Sequence, residues 1–370
     1  MNIALLGFGT VGSHFYKLAE EHGELNVTAV LSRRPRPELT CTVTSDYDEI
    51  MRDQSIDTVV ELIGGDEPAY SYVTAAMRAG KNVVTANKLL VCAHYDELLE
   101  LAKESGVSLR CTAAAGGGIP WLTSLARAAE MDRVTAVEGI LNGTTNYILS
   151  SMTAEGASYD EALARAQELG IAEADPTADV EGYDARRKLV LSANLAFGVS
   201  LREEDVPCIG ITQIGKQEIR LAKSRGLTWK LIARAERCGD KVSAYVCPTL
   251  FPDATAEAHT DAAANLVSLY SERIGKQSFA GSGAGGYPTA SSVLFDCLSV
   301  LRGCGSYYTD RHEPCEVDND GAPTGWLLRS ESGFMQAEKS AGEAFAAFAE
   351  RKAGDSSTPL LARLAGGAKW

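Results

Sequence analysis

The sequence predicts an α/β fold: a doubly wound parallel sheet at the N-terminal end, followed by a second domain of α+β type. Three observations predict it. Up to residue 133, short apolar runs alternate with helical patterns and are closed by glycine-rich or polar turns, the order that builds a parallel sheet with helices on both faces. From residue 134 the strand-like runs become longer and follow one another more directly, which reads as a mixed sheet. The chain has 370 residues, 45% of them hydrophobic, enough for two cores.

Taken in order, Asn2 to Leu6 is an apolar run, Gly7-Phe8-Gly9-Thr10-Val11-Gly12 follows, and Val11, Phe15, Leu18 and Ala19 then recur at helical spacing. This is strand, G-x-G-x-x-G, helix: a tight turn, close approach of a pyrophosphate, and close helix–strand packing. The residues from Gly7 to Gly12 are therefore candidate contacts of a dinucleotide in a Rossmann-type domain. The next strand, Val27 to Leu31, ends in Ser32-Arg33-Arg34. An acidic residue there would hold an NAD ribose. Arg33 and Arg34 instead favour the 2′-phosphate of NADP, although charged loop residues are often simply exposed.

Asp57 to Ile63, Asn82 to Ala86 and Val107 to Thr112 read as further strands, with helices at Ala69 to Ala79 and Tyr95 to Ser105 between them. Ligands of such sheets lie beyond the carboxyl ends of the strands. That makes Ile63 a candidate cofactor contact and singles out Lys88, a lysine at a helix start where the dipole does not favour it. Ala115-Gly116-Gly117-Gly118-Ile119-Pro120 is a second glycine-rich turn, and Gly283-Ala284-Gly285-Gly286 a third, which opens a helix to Leu301 and would face the same cofactor.

In the second domain, Val134 to Leu141 is a strand, and Asn142-Gly143-Thr144-Thr145-Asn146 is a polar turn before a helix (Tyr147 to Met152). A helix follows Ser158. After it comes Ala172 to Lys188, an acidic loop with Pro176 that becomes helical at Ala185, Leu189, Ala193 and Ala196. Asp184 and Lys188 stack on one helical face. The same spacing describes an ordinary surface ion pair. Here Glu173, Asp175, Asp179 and Asp184 are expected to converge, and partly buried acid beside a lysine shifts pKa values for proton transfer. Strands are read at Thr228 to Ala235, Val242 to Thr249 and Leu266 to Ile274, and a helix at Phe334 to Glu350.

Composition excludes other classes. A net charge of -14 argues against a nucleic-acid partner. No apolar window is long enough to span a membrane, and Met1 to Gly7 has no basic leader. Nine scattered cysteines without a C-x-x-C pair suggest reduced thiols in a cytoplasm.

Six motifs, in this order, resemble homoserine dehydrogenase: Gly7-x-Gly9-x-x-Gly12; Thr85-Ala86-Asn87-Lys88; Gly116-Gly117-Gly118-Ile119-Pro120; Gly139 to Ile148; the Glu173–Lys188 stretch; and Gly283 to Ala290. They span roughly residues 1–302. The resemblance implies NAD(P)-dependent interconversion of L-homoserine and L-aspartate 4-semialdehyde, on the branch to threonine, isoleucine and methionine. It implies a nucleotide-binding domain of residues 1–133 and 284–302, with Gly283 near the cofactor. Residues 134–283 would form a substrate-binding and dimerisation domain, giving a homodimer or larger homo-oligomer.

By the same resemblance Lys88 touches nicotinamide and substrate, and Glu173 holds the substrate amine. Asp184 and Lys188 bind and activate the hydroxyl, with Asp179, Gly143 and Thr144 completing the substrate site. Oxidising an alcohol by hydride transfer releases the hydroxyl proton, and a lysine takes it if burial or a second cation lowers its pKa. Lys88 and Lys188 would do this to each other if they share the pocket; Lys188 is the expected proton-transferring group.

Two departures stand out. The family's sodium site uses backbone carbonyls, here those of Ala115, Gly117 and Ile119, with a glutamate where this chain has Thr112. Many members also end in an ACT domain. Residues 303–370 carry only Gly325 to Arg329 as an echo of its first strand and lack its proline-glycine-valine-leucine turn, so a tail without intact threonine control is expected. Two other readings stay open: a dehydrogenase of another amino-acid-derived aldehyde, and a non-catalytic nucleotide sensor.

Overall fold

The computed structural model describes residues 1–306, 313–330, 333–354 and 359–370. The chain divides into two units. One comprises Met1–Arg127, Gly198–Ser200 and Ser282–Glu313; the other comprises Ala128–Phe197, Leu201–Gly281 and Pro314–Trp370.

The first unit is built on six parallel strands: β1 (Asn2–Leu6), β2 (Asn26–Leu31), β3 (Thr42–Thr44), β4 (Thr58–Glu61), β5 (Asn82–Thr85) and β6 (Leu109–Arg110). Their order is β3-β2-β1-β4-β5-β6. The order reverses beside β1, and ligands bind at such a switch point.

The central strands β1 and β4 are buried on both faces, because the period of two sends neighbouring side chains into different layers. Ile3 and Leu5 join Phe15, Val27 and Val30 in one core, while Ala4 and Leu6 join Val59, Val73 and Met77 in the other. The covering helices are α1 (Thr10–His22), α2 (Tyr47–Arg52), α3 (Ala69–Arg78), α4 (Lys88–Ala93) and α5 (Tyr95–Ser105). After them come α6 (Trp121–Met131) and, from far along the chain, α12 (Gly286–Leu301), which packs on α1. Ala290, Val293 and Cys297 of α12 complete the first core.

The second unit holds an eight-stranded mixed sheet. Its strands are β7 (Val134–Ile140), β9 (Leu227–Cys238), β10 (Lys241–Pro252), β11 (Ala264–Ser271), β12 (Gly275–Ser282), β14 (Thr324–Ser330), β15 (Gly333–Lys339) and β16 (Leu361–Leu364). The order is β12-β11-β7-β9-β10-β16-β14-β15; β8 (Val199–Ser200) and β13 (Glu313–Pro314) are two-residue strands outside it. The helices are α7 (Gly143–Glu155), α8 (Tyr159–Glu168), α9 (Thr177–Val180), α10 (Tyr183–Phe197), α11 (Lys216–Lys223) and α13 (Ala341–Gly354). Ser158 and Glu161 form the capping box of α8.

Two strand expectations change. The run Leu266 to Ile274 is not one strand: Asp132 accepts the amides of Arg273 and Ile274 and turns the chain there, so that a separate strand, β12, follows. The expected helix from Phe334 to Glu350 begins only at Ala341, because Gly333–Lys339 pairs antiparallel with Thr324–Ser330. Pairing decides strand formation more than intrinsic propensity does.

The C-terminal residues are part of this sheet. β16 runs parallel to β10 and antiparallel to β14. Arg363 on β16 reaches Glu138 on β7 at 2.5 Å, and Arg234 on β9 reaches the same carboxylate at 2.9 Å. Burial alone would raise the Glu138 pKa, but the two guanidiniums outweigh it and hold the carboxyl at about 2. Residues 307–312 of the expected tail lie outside the described residues.

Candidate active site

In the first unit the fingerprint glycines behave as its chemistry requires. Gly7 has φ +95°, and a Cβ there would lie 2.7 Å from the Leu62 carbonyl oxygen; a Cβ on Gly12 would lie 2.3 Å from that of Gly7. Gly9 faces open space. It is the N-cap of α1, whose first amides have no side-chain cap, so a diphosphate has both room and donors there. A cleft of about 990 Å³ adjoins this turn, lined by Gly7, Phe8, Gly9, Arg33, Arg34 and Ile63 among others.

Arg33 and Arg34 are exposed at the end of β2. Arg36, which the sequence reading passed over, lines the same cleft, donates to the Phe8 carbonyl at 3.1 Å and stacks on the Phe8 ring. A smaller pocket of about 390 Å³ is lined by Ser32, the three arginines, Thr44, Ser45 and their neighbours, with no carboxylate in its wall.

Lys88 is the first residue of α4, and its half-buried position is set by Asn87, whose side chain caps that helix at Leu90. The two later glycine-rich turns meet in this unit. A Cβ on Gly117 would sit 2.5 Å from the Gly283 carbonyl carbon, and Gly118 donates to the Ser282 carbonyl. Gly286 lies against His14 of α1, so the third turn sits on the helix that the first one opens.

The carbonyls expected to hold a cation are largely engaged. That of Ile119 accepts from the Trp121 amide and that of Gly117 from Ser292 Oγ. Thr112 supplies no charge: its amide and hydroxyl donate to Asp296, which also pairs with Arg110. These residues do not fit a charged cation cage.

In the second unit one carboxamide gathers the expected residues. Asn142 is the N-cap of α7: its Oδ1 accepts from the Thr145 amide at 2.8 Å. Its Nδ2 donates to Asp179 Oδ1 at 2.7 Å and to Asp184 Oδ2 at 2.9 Å. Lys188 Nζ donates to the same Asp184 oxygen at 2.7 Å and to the Leu141 carbonyl at 2.8 Å. Asp184 and Lys188 are 7% and 8% exposed, which excludes the ordinary surface pair. Burial, and next to it Asp184, pushes the Asp179 carboxyl up, against the Asn142 and Thr144 hydrogen bonds and Lys188. Thr144 Oγ1 donates to the Ile171 carbonyl, at the start of the acidic loop, and Gly143 opens α7.

The four carboxylates do not all converge. Asp175 is turned aside by its own loop, accepting the amide and hydroxyl of Thr177. Glu173 is exposed, and Gln167 binds its backbone carbonyl. The sequence offered Asn142 only as a cap; an Asn-Gly-Thr-Thr turn directly after a buried strand was the available signal.

The chain is similar to known proteins. The family model described as homoserine dehydrogenase matches residues 120–298, and that of the homoserine dehydrogenase NAD binding domain matches residues 7–112. Homoserine dehydrogenase of Bacillus subtilis is 40% identical over 316 residues, covering 82% of this chain and 73% of its own length. That of Corynebacterium glutamicum is 42% identical over 323 residues, covering 82% and 72%. The crystal structure of a homoserine dehydrogenase from Thiobacillus denitrificans superposes with a TM-score of 0.91 at 30% identity, covering 98% of both chains.

Proposed function

The chain belongs to the homoserine dehydrogenase family and interconverts L-homoserine and L-aspartate 4-semialdehyde with a nicotinamide cofactor, and we propose that Lys188, held by Asp184, moves the hydroxyl proton of that reaction. The observation that carries this reading is the buried lysine fixed between the Asp184 carboxylate and the Leu141 carbonyl. A nicotinamide dinucleotide held at the Gly7–Gly12 turn would supply the acceptor for the hydride that leaves the alcohol carbon. The hydroxyl proton then has to leave, and the Lys188 amine takes it; in the reducing direction the ammonium returns it to the aldehyde oxygen. Asp184, itself fixed by Asn142, keeps the amine aimed and compensates its charge.

The substrate's ammonium binds Asp179. Asp179 suits this because its carboxyl is pushed up by burial and by Asp184, and a cation beside it relieves that cost. The substrate carboxylate sits on the free amides of Gly143 and Thr144 at the start of the thirteen-residue α7. Lys88 is the orienting group at the nicotinamide. Readings as a dehydrogenase of another amino-acid-derived aldehyde, or as a nucleotide sensor, are not favoured by the family.

NADP is the preferred cofactor in this reading. Arg33 and Arg34, with Arg36 beside them, form a pocket wall without a carboxylate, suited to a phosphate dianion and not to a ribose 2′-hydroxyl. The reading also makes the enzyme cytoplasmic, a homodimer or larger homo-oligomer, and a member of the branch towards threonine, isoleucine and methionine. Reduced-nicotinamide absorbance, followed with L-homoserine and either NADP or NAD, tests it. Faster reduction of NADP is expected; equal or faster reduction of NAD would remove the arginines from 2′-phosphate recognition.

A further inference from the structure

Glu61 ends β4 and is 0% exposed, yet it makes no ion pair among the described residues. A buried carboxylate must find its partners elsewhere, and here they are neutral. Oε1 accepts the amides of Ile63 at 2.7 Å and Gly64 at 3.0 Å. Oε2 accepts the Thr85 hydroxyl, at the end of β5, at 2.6 Å.

Thr85 Oγ1 in turn accepts the Asn87 amide at 2.9 Å. Asn87 Nδ2 returns to the Gly65 carbonyl at 2.6 Å, while its Oδ1 caps α4, the helix that Lys88 begins. The circuit is closed: the 63–65 turn and the 85–88 turn are each bound to the other, with Glu61 at the centre. Ile63 and Gly64 line the nucleotide cleft.

We infer that Glu61 is a positioning residue for the dehydrogenase reaction, fixing the Lys88 backbone through Thr85 and Asn87 against the cleft wall at Ile63–Gly65. The inference rests on the participation of Lys88 proposed above. Each of its three acceptor contacts needs a lone pair, and both oxygens supply them. In Glu61→Gln the amide oxygen can stay on the two backbone donors only with the NH2 group turned to Thr85, whose hydroxyl must then change from donor to acceptor and break the circuit in its present sense.

The experiment compares Glu61→Gln, Thr85→Val, Thr85→Ser, the Glu61→Gln/Thr85→Val pair and Lys88→Ala. Each would be assayed in the full-length enzyme for kcat, for the KM of L-homoserine, and for nicotinamide dissociation constant by fluorescence. A misplacement of the Lys88 turn by a fraction of an ångström is expected to lower kcat roughly 10- to 100-fold in Glu61→Gln and Thr85→Val. The KM of homoserine should change little.

Thr85→Ser, which keeps the hydroxyl, is expected to retain kcat, and the double variant to be no slower than the worse single one. Wild-type kcat in Glu61→Gln, or losses that simply multiply in the double variant, would overturn the inference. Should Glu61→Gln not fold, the contrast between Thr85→Val and Thr85→Ser decides alone. Wild-type turnover in Lys88→Ala would overturn the role of Lys88. An inactive Lys88→Ala beside unimpaired Glu61→Gln and Thr85→Val would overturn only the positioning role.

Discussion

Glu61 in the nucleotide-binding unit and Glu138 in the second unit are both buried carboxylates on core strands, but they are satisfied in different ways. Glu61 accepts two backbone amides and a hydroxyl, and holds two turns together. Glu138 is shared by Arg363 and Arg234, and holds three strands together, one of them from the end of the chain. Neutral donors give direction without adding charge, which suits a cleft that must receive a highly charged cofactor. Guanidiniums give a stronger, pH-dependent clamp, which suits a sheet assembled from distant segments. The Asp184–Lys188 pair lies between these cases: an ion pair aligned by a neutral carboxamide.

The largest test of this contrast is Lys188→Ala. It is expected to lower kcat by about 10²- to 10⁴-fold, the usual worth of a general acid–base group, while cofactor affinity measured by fluorescence stays at the wild-type value. Near-normal turnover would show that Asp184 and Lys188 form a structural pair, like Glu138 and Arg363.

Next comes the clamp itself. Arg363→Met leaves Glu138 buried with half its compensation, and is expected to lower unfolding stability by about 3–5 kcal/mol, read from urea midpoints. Replacing both partners by apolar residues should recover much of that loss. If the double replacement is as unstable as the single one, the network does more than cancel charge.

The clamp has a pH signature. The folded-state pKa of Glu138 is depressed from 4.5 to about 2. Its stabilisation is therefore fully present above the unfolded value and is lost as pH falls from 4.5 towards 2. Thermal unfolding in that window should fall steeply for the wild type and less so for Glu138→Gln; parallel curves would mean that other carboxylates dominate. Asp179 has the opposite sign, its raised pKa making its ionised form a cost at neutral pH.

Smaller effects lie at the surface. Arg34→Ala is expected to reduce kcat/KM with NADP about tenfold and to leave NAD unchanged, the worth of one charge-assisted hydrogen bond. Arg133 and Glu272 pair at 3.1 Å, but their side chains are 55% and 46% exposed. Arg133→Ala should shift stability by no more than about 0.5 kcal/mol; a larger change would give this exposed pair a weight the buried ones were expected to hold.

Local chemistry was the part a reader of the sequence could recover. Glycine spacing after an apolar run placed a tight turn and a helix start at Gly7–Gly12, and the interval of four placed Lys188 on Asp184, because both depend on geometry within one turn of chain. The same local rule worked against the expectation for Asp175: its carboxylate is captured by Thr177 two residues on, a turn motif that outcompetes a distant site. Residues 334–339 were misread for the converse reason, since an amphipathic run takes the conformation of whatever pairs with it.

The sequence by itself determined the parallel, doubly wound first unit, its first glycine turn and the acid–lysine pair, because helical and strand periods and turn residues act over a few positions. Only the tertiary structure decided that Asn142 grips both Asp179 and Asp184, that Glu61 binds the Thr85 turn to the cleft wall, and that Arg363 completes Glu138 across 225 residues of chain. The physical reason is that a buried polar group must be satisfied by whichever partner the packed strands bring within reach, and nothing local to Glu61 or Glu138 specifies which partner that is.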